Sequence, residues 1–476
     1  MQGKLKFHNA IGFSLFHVAE AVMYQFVNTY LLLYLTSVVL MDSDKAGMLV
    51  SIGMVFEFVS SLVIGKLSDS CTSPKGRRRP FLLAGSVMVP VVLILLFTNY
   101  NGIFTGTALF IPYLIINILF WISHGLIYIP FMALGSEITS DYDERTKLRS
   151  LSSGIGIVGS YLSTAAPLLL IGFLNDRGMN DSDAWFWTGI MAGCCAGLAL
   201  FVGWKLTAGV EKVPENGKFE PMKALKEIPL VLKDYWELLK LKTMRILTVF
   251  KIIFNVGNAF FTSAMVFFLT YRLGMDNTEI STIYSIQIFI RVFNVFLIGW
   301  IAVKIGKSAT LLLTLTISGV TCVLFYLFGI SNQITLVIFI VITTAAISSF
   351  WQVAGAIFDD VAEVDQFRFG KRRQGSVNSL QSGVGSLATA AIYGGFGIYL
   401  EHMNFDATLA VQPESALMAL DQLFILCPGV CFLLTCAVLL IYPLNKKRFH
   451  SLQSALRLKE QGRDYSMYEE DLKKII

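Results

Sequence analysis

Long apolar runs separated by short polar stretches dominate this chain. Runs of membrane-crossing length cover roughly 9–35, 46–67, 80–98, 108–134, 151–174, 185–206, 246–271, 280–302, 309–330, 334–358, 375–400 and 421–442. A hydrocarbon core takes about 20 apolar residues per helix. Backbone groups must be satisfied internally there, so runs this long are helices. The pattern predicts an all-α integral membrane protein with about twelve transmembrane helices. The longest polar connection, 207–245, follows the sixth run and carries Pro214, Pro221 and Pro229. It divides the chain into a six-helix bundle at 1–206, a cytoplasmic linker at 207–245, a second six-helix bundle at 246–442 and a cytoplasmic tail at 443–476. The stretch LKEIPLVLKDYWELLK inside that connection reads as ordinary linker in preference to a surface amphipathic helix.

Polar positions inside the runs are not scattered. His17, Glu20, Tyr24 and Asn28 share one helical face of the first run. Asn117, Trp121, His124 and Tyr128 do so in the fourth, Lys251, Asn255, Asn258 and Thr262 in the seventh, and Thr344, Ser348, Trp351 and Gly355 in the tenth, with Gln352 beside them. One such stripe is better explained by hydrogen bonding between packed spans. Four, at the first and fourth positions of each half, favour a shared polar cavity. Its amides, hydroxyls and indoles suit a neutral polyhydroxy ligand, with Trp121 and Trp351 placed to stack on sugar faces. Charges at membrane depth are costly and mark function by default. Glu20, Glu57 and Arg291 lie near mid-membrane, while Lys251 reads equally as a snorkelling anchor or as part of a site.

Composition adds the membrane argument in another form. The chain is 55% hydrophobic and only 15% charged, with a mean hydropathy of +0.64, against about 25% charged residues in soluble domains. The first apolar stretch is too long for a signal peptide and has no small-residue cleavage site. Of the 38 basic residues, only Lys45, Arg177 and Arg272 fall in loops outside the membrane when the N-terminus is placed inside. That asymmetry puts both termini in the cytoplasm, with the plasma membrane as the expected location. The net charge of +5 is accounted for by the inner loops and calls for no nucleic acid. The seven cysteines sit mostly in apolar runs without metal-ligand spacing and read as packing residues. No metal cluster and no nucleophile–base constellation is visible, which argues against an enzyme, and no sizeable soluble domain argues for a receptor.

The turns carry the sharpest motifs. GKLSDSCTSPKGRRRP, between the second and third runs, is glycine-rich, then acidic, then triply basic, so Asp69 has Arg77, Arg78 or Arg79 as a partner. The second run ends at Gly65 with Glu57 eight residues earlier, and the eighth ends at Gly299 with Arg291 eight residues earlier. The fourth run enters EITSDYDERTKLR and the tenth DDVAEVDQFRFGKRR, both acidic first and basic after. Two six-helix halves with matched inner turns are the layout of many secondary carriers.

The first of these turns, IPFMALGSEITSDYDERTKL and FDDVAEVDQFRFGKRRQGSVNSLQS resemble those of the glycoside–pentoside–hexuronide:cation symporters, relatives of the melibiose permease with the major facilitator fold. The likeness runs along nearly the whole chain. It implies alternating access between the two bundles, with a sugar or glycoside moved alongside a cation and no other cofactor. By that likeness Asp69, Arg77, Arg78, Arg145, Asp360, Glu363 and Arg372 form a cytoplasmic gate joined by Arg291. The candidate substrate contacts are Tyr24, Asn28, Trp121, His124, Tyr128, Asn255, Asn258, Trp351, Gln352 and Gln381; the candidate coupling residues are Glu57, Glu20 and Ser61. The chain also departs from the family pattern. Where melibiose-type sites have two carboxylates one turn apart on the second helix it has Glu57 and Ser61. Tyr128 stands at a fourth-helix carboxylate, Ser153 at a fifth-helix arginine and Ser386 at an eleventh-helix lysine. Sodium wants several hard oxygens, whereas a lone desolvated glutamate exchanges a proton near neutral pH. The coupling ion is therefore expected to be H+ in preference to Na+. The expected partners are a small-molecule substrate and the lipid bilayer, with the protein a monomer. An uncoupled facilitator or a lysophospholipid-type carrier of the same fold is the alternative.

Overall fold

The computed structural model describes residues 6–73, 76–138, 142–211, 221–371, 373–409, 411–444, 446–461 and 463–475. Among them, twelve helices are long and apolar enough to cross a membrane: Phe7–Ser37, Ser43–Ser68, Arg79–Leu96, Phe110–Gly135, Leu151–Asn175, Asp181–Leu206, Lys242–Arg272, Asn277–Ile305, Lys307–Phe328, Gln333–Phe369, Gln374–His402 and Glu414–Ile441. They are numbered below as spans in this order. The expected runs are all present, and most boundaries agree within a few residues. The tenth span departs most. It runs past residue 358 to Phe369, because nothing in DDVAEVDQFRF breaks a helix until Gly370 ends it in the left-handed conformation (φ +70°). The linker is also more ordered than expected. It forms helices Pro221–Lys226 and Ile228–Leu238, and the second buries Tyr235 and Leu238 while exposing Trp236.

The chain folds into two compact units. The first comprises Met1–Ile228, Thr262–Ile288 and Ala390–Asp421. It holds the first six spans together with the adjoining ends of the seventh and eighth spans and of the eleventh and twelfth. Its interior is aromatic: Phe97 stacks on Trp185, and Phe26, Tyr30 and Tyr34 pack around them. The end of the eleventh span belongs here for a steric reason. A Cβ on Gly397 would lie 2.1 Å from the Ser43 carbonyl oxygen, and one on Gly47 2.6 Å from that of Tyr393. Only glycine allows backbones so close. The Ser43 N–H then donates to the Glu401 carboxylate at 3.1 Å.

The second unit comprises Pro229–Phe261, Phe289–Thr389 and Gln422–Ile476. Its core is a stack of phenylalanines in which Phe254 lies against Phe350 and Phe432, and Phe250 against Phe350 and Phe358. The tenth span loosens into a π-helical turn at Phe350–Ala354. Such an extra residue per turn re-aims neighbouring side chains and recurs at functional sites. Here it sets the directions of Trp351 and Gln352.

Candidate functional site

In the first unit the second and fourth spans bring the expected residues together. Gly53 lets them touch, since a Cβ there would sit 2.1 Å from Asn117 Nδ2 and 2.7 Å from Trp121 Cδ1. Asn117 spends its amide on this packing, donating to the Leu49 carbonyl at 2.9 Å. Ser60 ties the same two spans by donating to the Trp121 carbonyl at 3.2 Å. Ser60 was not expected; Ser61, which was, lies half-buried one position on. One turn along, Glu57 Oε1 stands 3.9 Å from His124 Nδ1, both groups buried. Rings enclose the imidazole: Tyr128 stacks at 5.5 Å between centroids, Trp121 meets it edge-on at 5.5 Å, and Tyr24 lies at 5.6 Å. Trp121 Nε1 and both nitrogens of His124 are buried without a hydrogen-bond partner among the described residues. Buried polar groups are rarely left unpaired, which makes these atoms stand out within the first unit.

The first span contributes the other wall. His17 Nδ1 lies 3.7 Å from Glu20 Oε2. Asn28 donates to the Tyr24 carbonyl one turn back at 2.8 Å, leaving its side-chain oxygen buried and unpartnered among the described residues. Tyr393 donates to the Asn28 carbonyl from the eleventh span. Sequence reasoning passed over Tyr393, a buried phenol in the small-residue stretch TAAIYGGFG, whose only signal was that an aromatic among glycines and alanines has to be accommodated somewhere.

In the second unit, Lys251 and Asn255 lie one turn apart and both are buried. The Lys251 ammonium is 4.3 Å from the centroid of Trp351, 5.0 Å from that of Phe350 and 5.9 Å from that of Phe358. Asn258 is half-buried further along the same span. The two expected glutamines are engaged in helix packing. Gln352 donates to the Val295 carbonyl at 2.9 Å, and Gln381 to Thr248 Oγ1 at 3.3 Å.

The gate residues are only partly visible. The side chains of Asp69 and Arg145, and Arg372 as a whole, lie outside the described residues. The triple-arginine turn docks against the end of the sixth span: the backbone N–H groups of Arg78 and Arg79 donate to Glu211, and the Arg79 guanidinium covers Trp204 at 4.5 Å. Arg77 and, in the other unit, Arg291 and Glu363 are half-buried. Asp360 pairs with Lys307 at 3.5 Å. A second ionic cluster was not expected. Arg373 binds Asp365 at 2.7 Å, Asp234 at 2.8 Å and Glu237 at 2.7 Å, so the turn after the tenth span is tied to the linker helix Ile228–Leu238. The hydrogen bond from Arg373 holds the Glu237 carboxyl below the usual carboxylate range. Bonds chiefly to Asp365 hold the Arg373 guanidinium above its ordinary value.

Each of the two units of long helices thus holds a buried polar cluster. The model of the MFS/sugar transport protein family matches residues 12–446. The chain belongs to that family. Within the major facilitator superfamily its relatives are those of the glycoside–pentoside–hexuronide:cation symporter branch. Over 448 residues it is 23% identical to the isoprimeverose transporter of Lactiplantibacillus pentosus, covering 91% of this chain and 88% of that one. Over 456 residues it is 22% identical to a glucuronide carrier protein homolog of Escherichia coli, covering 95% and 96%. A shorter match, 32% identical over 180 residues, joins it to an uncharacterized symporter of Synechocystis, of which it spans one third (33%). Solved structures share the fold: a peptide transporter with bound sulfate (TM-score 0.66, 13% identity, 93% of this chain and 95% of that chain) and a nucleoside transporter (TM-score 0.62, 11% identity, 92% and 100%). This family member is thus an integral membrane transporter and not an enzyme.

Proposed function

We propose that the protein imports a sugar or glycoside by cation symport through alternating access, with a proton favoured over sodium as the coupling ion. The observation that carries this reading is the buried Glu57–His124 pair at 3.9 Å inside the Tyr24, Trp121 and Tyr128 rings. Rings with a few convergent polar groups suit a ligand that is apolar on its faces and hydroxylated at its edges. A carboxylate against an imidazole is a proton-exchanging pair. Protonation changes what that pair prefers to contact, and so biases one conformation over another. Sodium would want several hard oxygens, and the second span supplies Glu57 with Ser61 one turn away. The relatives carry isoprimeverose and, in the homolog's name, glucuronide, which supports a sugar-type substrate. The basic inner loops support a plasma-membrane carrier with both termini cytoplasmic, and Asp69, Arg77, Arg78, Arg145, Asp360, Glu363, Arg372 and Arg291 are proposed to close its inner side.

The test is uptake into proteoliposomes by the purified protein, with a panel of labelled glycosides under proton and sodium gradients applied separately. At least one glycoside is expected to accumulate under the proton gradient alone. Failure of every panel member to move, or accumulation only with sodium, overturns the reading.

A further inference from the structure

The second unit holds a buried cation that the sugar reading leaves unused. Lys251 is only 7% exposed. Among the described residues no carboxylate lies within ion-pair distance of its ammonium and no oxygen accepts from it; its neighbours are the rings of Trp351, Phe350 and Phe358. Ring faces attract a cation, but they recover only part of what an ammonium loses on leaving water. Long lysines escape that cost by snorkelling, yet here the amine is held under a tryptophan. The packing beside it depends on a glycine. Gly385 of the eleventh span leaves the space: a Cβ there would lie 2.4 Å from Asn255 Nδ2 and 3.5 Å from Lys251 Cε. Asn255 thus places a neutral amide donor one turn from the ammonium, and Trp351, 58% exposed, puts a ring at the edge of the same cluster.

We propose that Lys251 is the seat of a carboxylate carried by the substrate, so that the preferred ligand is an acidic sugar or acidic glycoside. An ammonium, an amide N–H and an adjacent indole face match one carboxylate on a sugar ring. A dianionic phosphate would call for more cationic donors, forked ones above all. This rests on the sugar-transport reading and narrows it.

The experiment uses the purified full chain in nanodiscs and matched ligand pairs that differ only at C6: methyl glucuronide against methyl glucoside, and methyl galacturonide against methyl galactoside. Calorimetry gives the affinity ratio, acid over neutral, within each pair. A charge-assisted hydrogen bond predicts a ratio of about 10 to 100 for the favoured pair. Lys251→Met should bring the ratio to about one, and Lys251→Arg should keep it well above one. A ratio near one in the wild type overturns the inference and leaves the sugar reading standing. So does an acid preference that survives in Lys251→Met, which would mean that the lysine only packs. Should no member of either pair bind, the sugar reading and this inference fall together. The wild-type ratio alone decides the matter if the methionine variant does not fold.

Discussion

The two units solve the problem of buried charge in opposite ways. In the first, the acid Glu57 faces the titratable imidazole of His124 at 3.9 Å. In the second, the base Lys251 faces rings and, among the described residues, no carboxylate. An acid beside a histidine offers two neighbouring seats for a proton, which suits a coupling site. A base with no carboxylate beside it among the described residues is open to an anion from outside, as proposed above for a ligand. At the inner turns the contrast reverses. The arginine turn of the first unit meets Glu211 through backbone N–H groups, whereas Arg373 of the second gathers three carboxylates with its side chain. The described contacts thus cap the first unit's turn through its backbone and latch the second's through a side chain.

The largest effect expected from breaking this contrast is at Glu57. Glu57→Gln imitates the protonated acid permanently, so uphill accumulation should be abolished while substrate exchange across the membrane remains measurable. Glu20→Gln, tested beside it, should leave accumulation in place. Accumulation retained in Glu57→Gln and lost in Glu20→Gln would move the coupling site to the first span.

The latch comes next. Asp365 is fully buried, so Arg373→Met strands its charge and should cost about 3–5 kcal/mol. Glu211→Gln, at the capped turn, weakens the acceptor of the Arg78 and Arg79 backbone N–H groups and should cost less, about 1–2 kcal/mol. Thermal unfolding of the purified variants reads both, and equal losses would erase the distinction between cap and latch.

How much of this was legible in the sequence depends on length scale. Twelve runs of about 20 apolar residues and a one-sided distribution of lysine and arginine were enough for the spans. The stripes marked His124 and Lys251, and its depth in the second run marked Glu57, because a polar residue on an apolar helix stands out. Choices that turn on one residue of register were hidden. The arginine that meets Asp365 is Arg373, set by the way Gly370 ends the tenth helix, and the neighbouring Arg372 lies outside the described residues. Ser60 rather than Ser61 reaches the fourth span. Gln352 and Gln381 were expected as ligand contacts; that their amide N–H groups donate to neighbouring helices could not be read from the sequence. The helical linker was missed because its amphipathic pattern covers only about three turns, and its register is fixed by Arg373, a long-range partner.

Smaller effects sharpen the packing side of the comparison. Gly53→Ala must displace Asn117, which is bonded to the Leu49 carbonyl, and the fully buried Trp121. A loss of about 1–3 kcal/mol is expected. Gly385→Ala meets chiefly the end of the Asn255 side chain, and the gain of about 1 kcal/mol in helix propensity offsets much of that strain. Unfolding midpoints that fall equally in both would show the two clusters to be equally tight.

The smallest effect is the pH dependence of the latch. Glu237 is held below the usual carboxylate range by Arg373. A carboxylate depressed in the folded state contributes stability above its unfolded pKa and loses it as pH falls through the folded value. The difference in unfolding temperature between wild type and Glu237→Gln should thus be constant near neutral pH. It should shrink below about pH 4. A difference that grows with acid would mean that Glu237 does not feel Arg373.

The central claim, that a proton travels with the sugar through the Glu57–His124 pair, is met most directly by following protons themselves. Proteoliposomes with an entrapped pH dye, in sodium-free buffer without a pre-set gradient, receive the transported glycoside from outside. Acidification of the lumen in step with glycoside entry, absent in Glu57→Gln, is the predicted result. Glycoside entry with no change in lumenal pH, or entry that begins only when sodium is added, would contradict it.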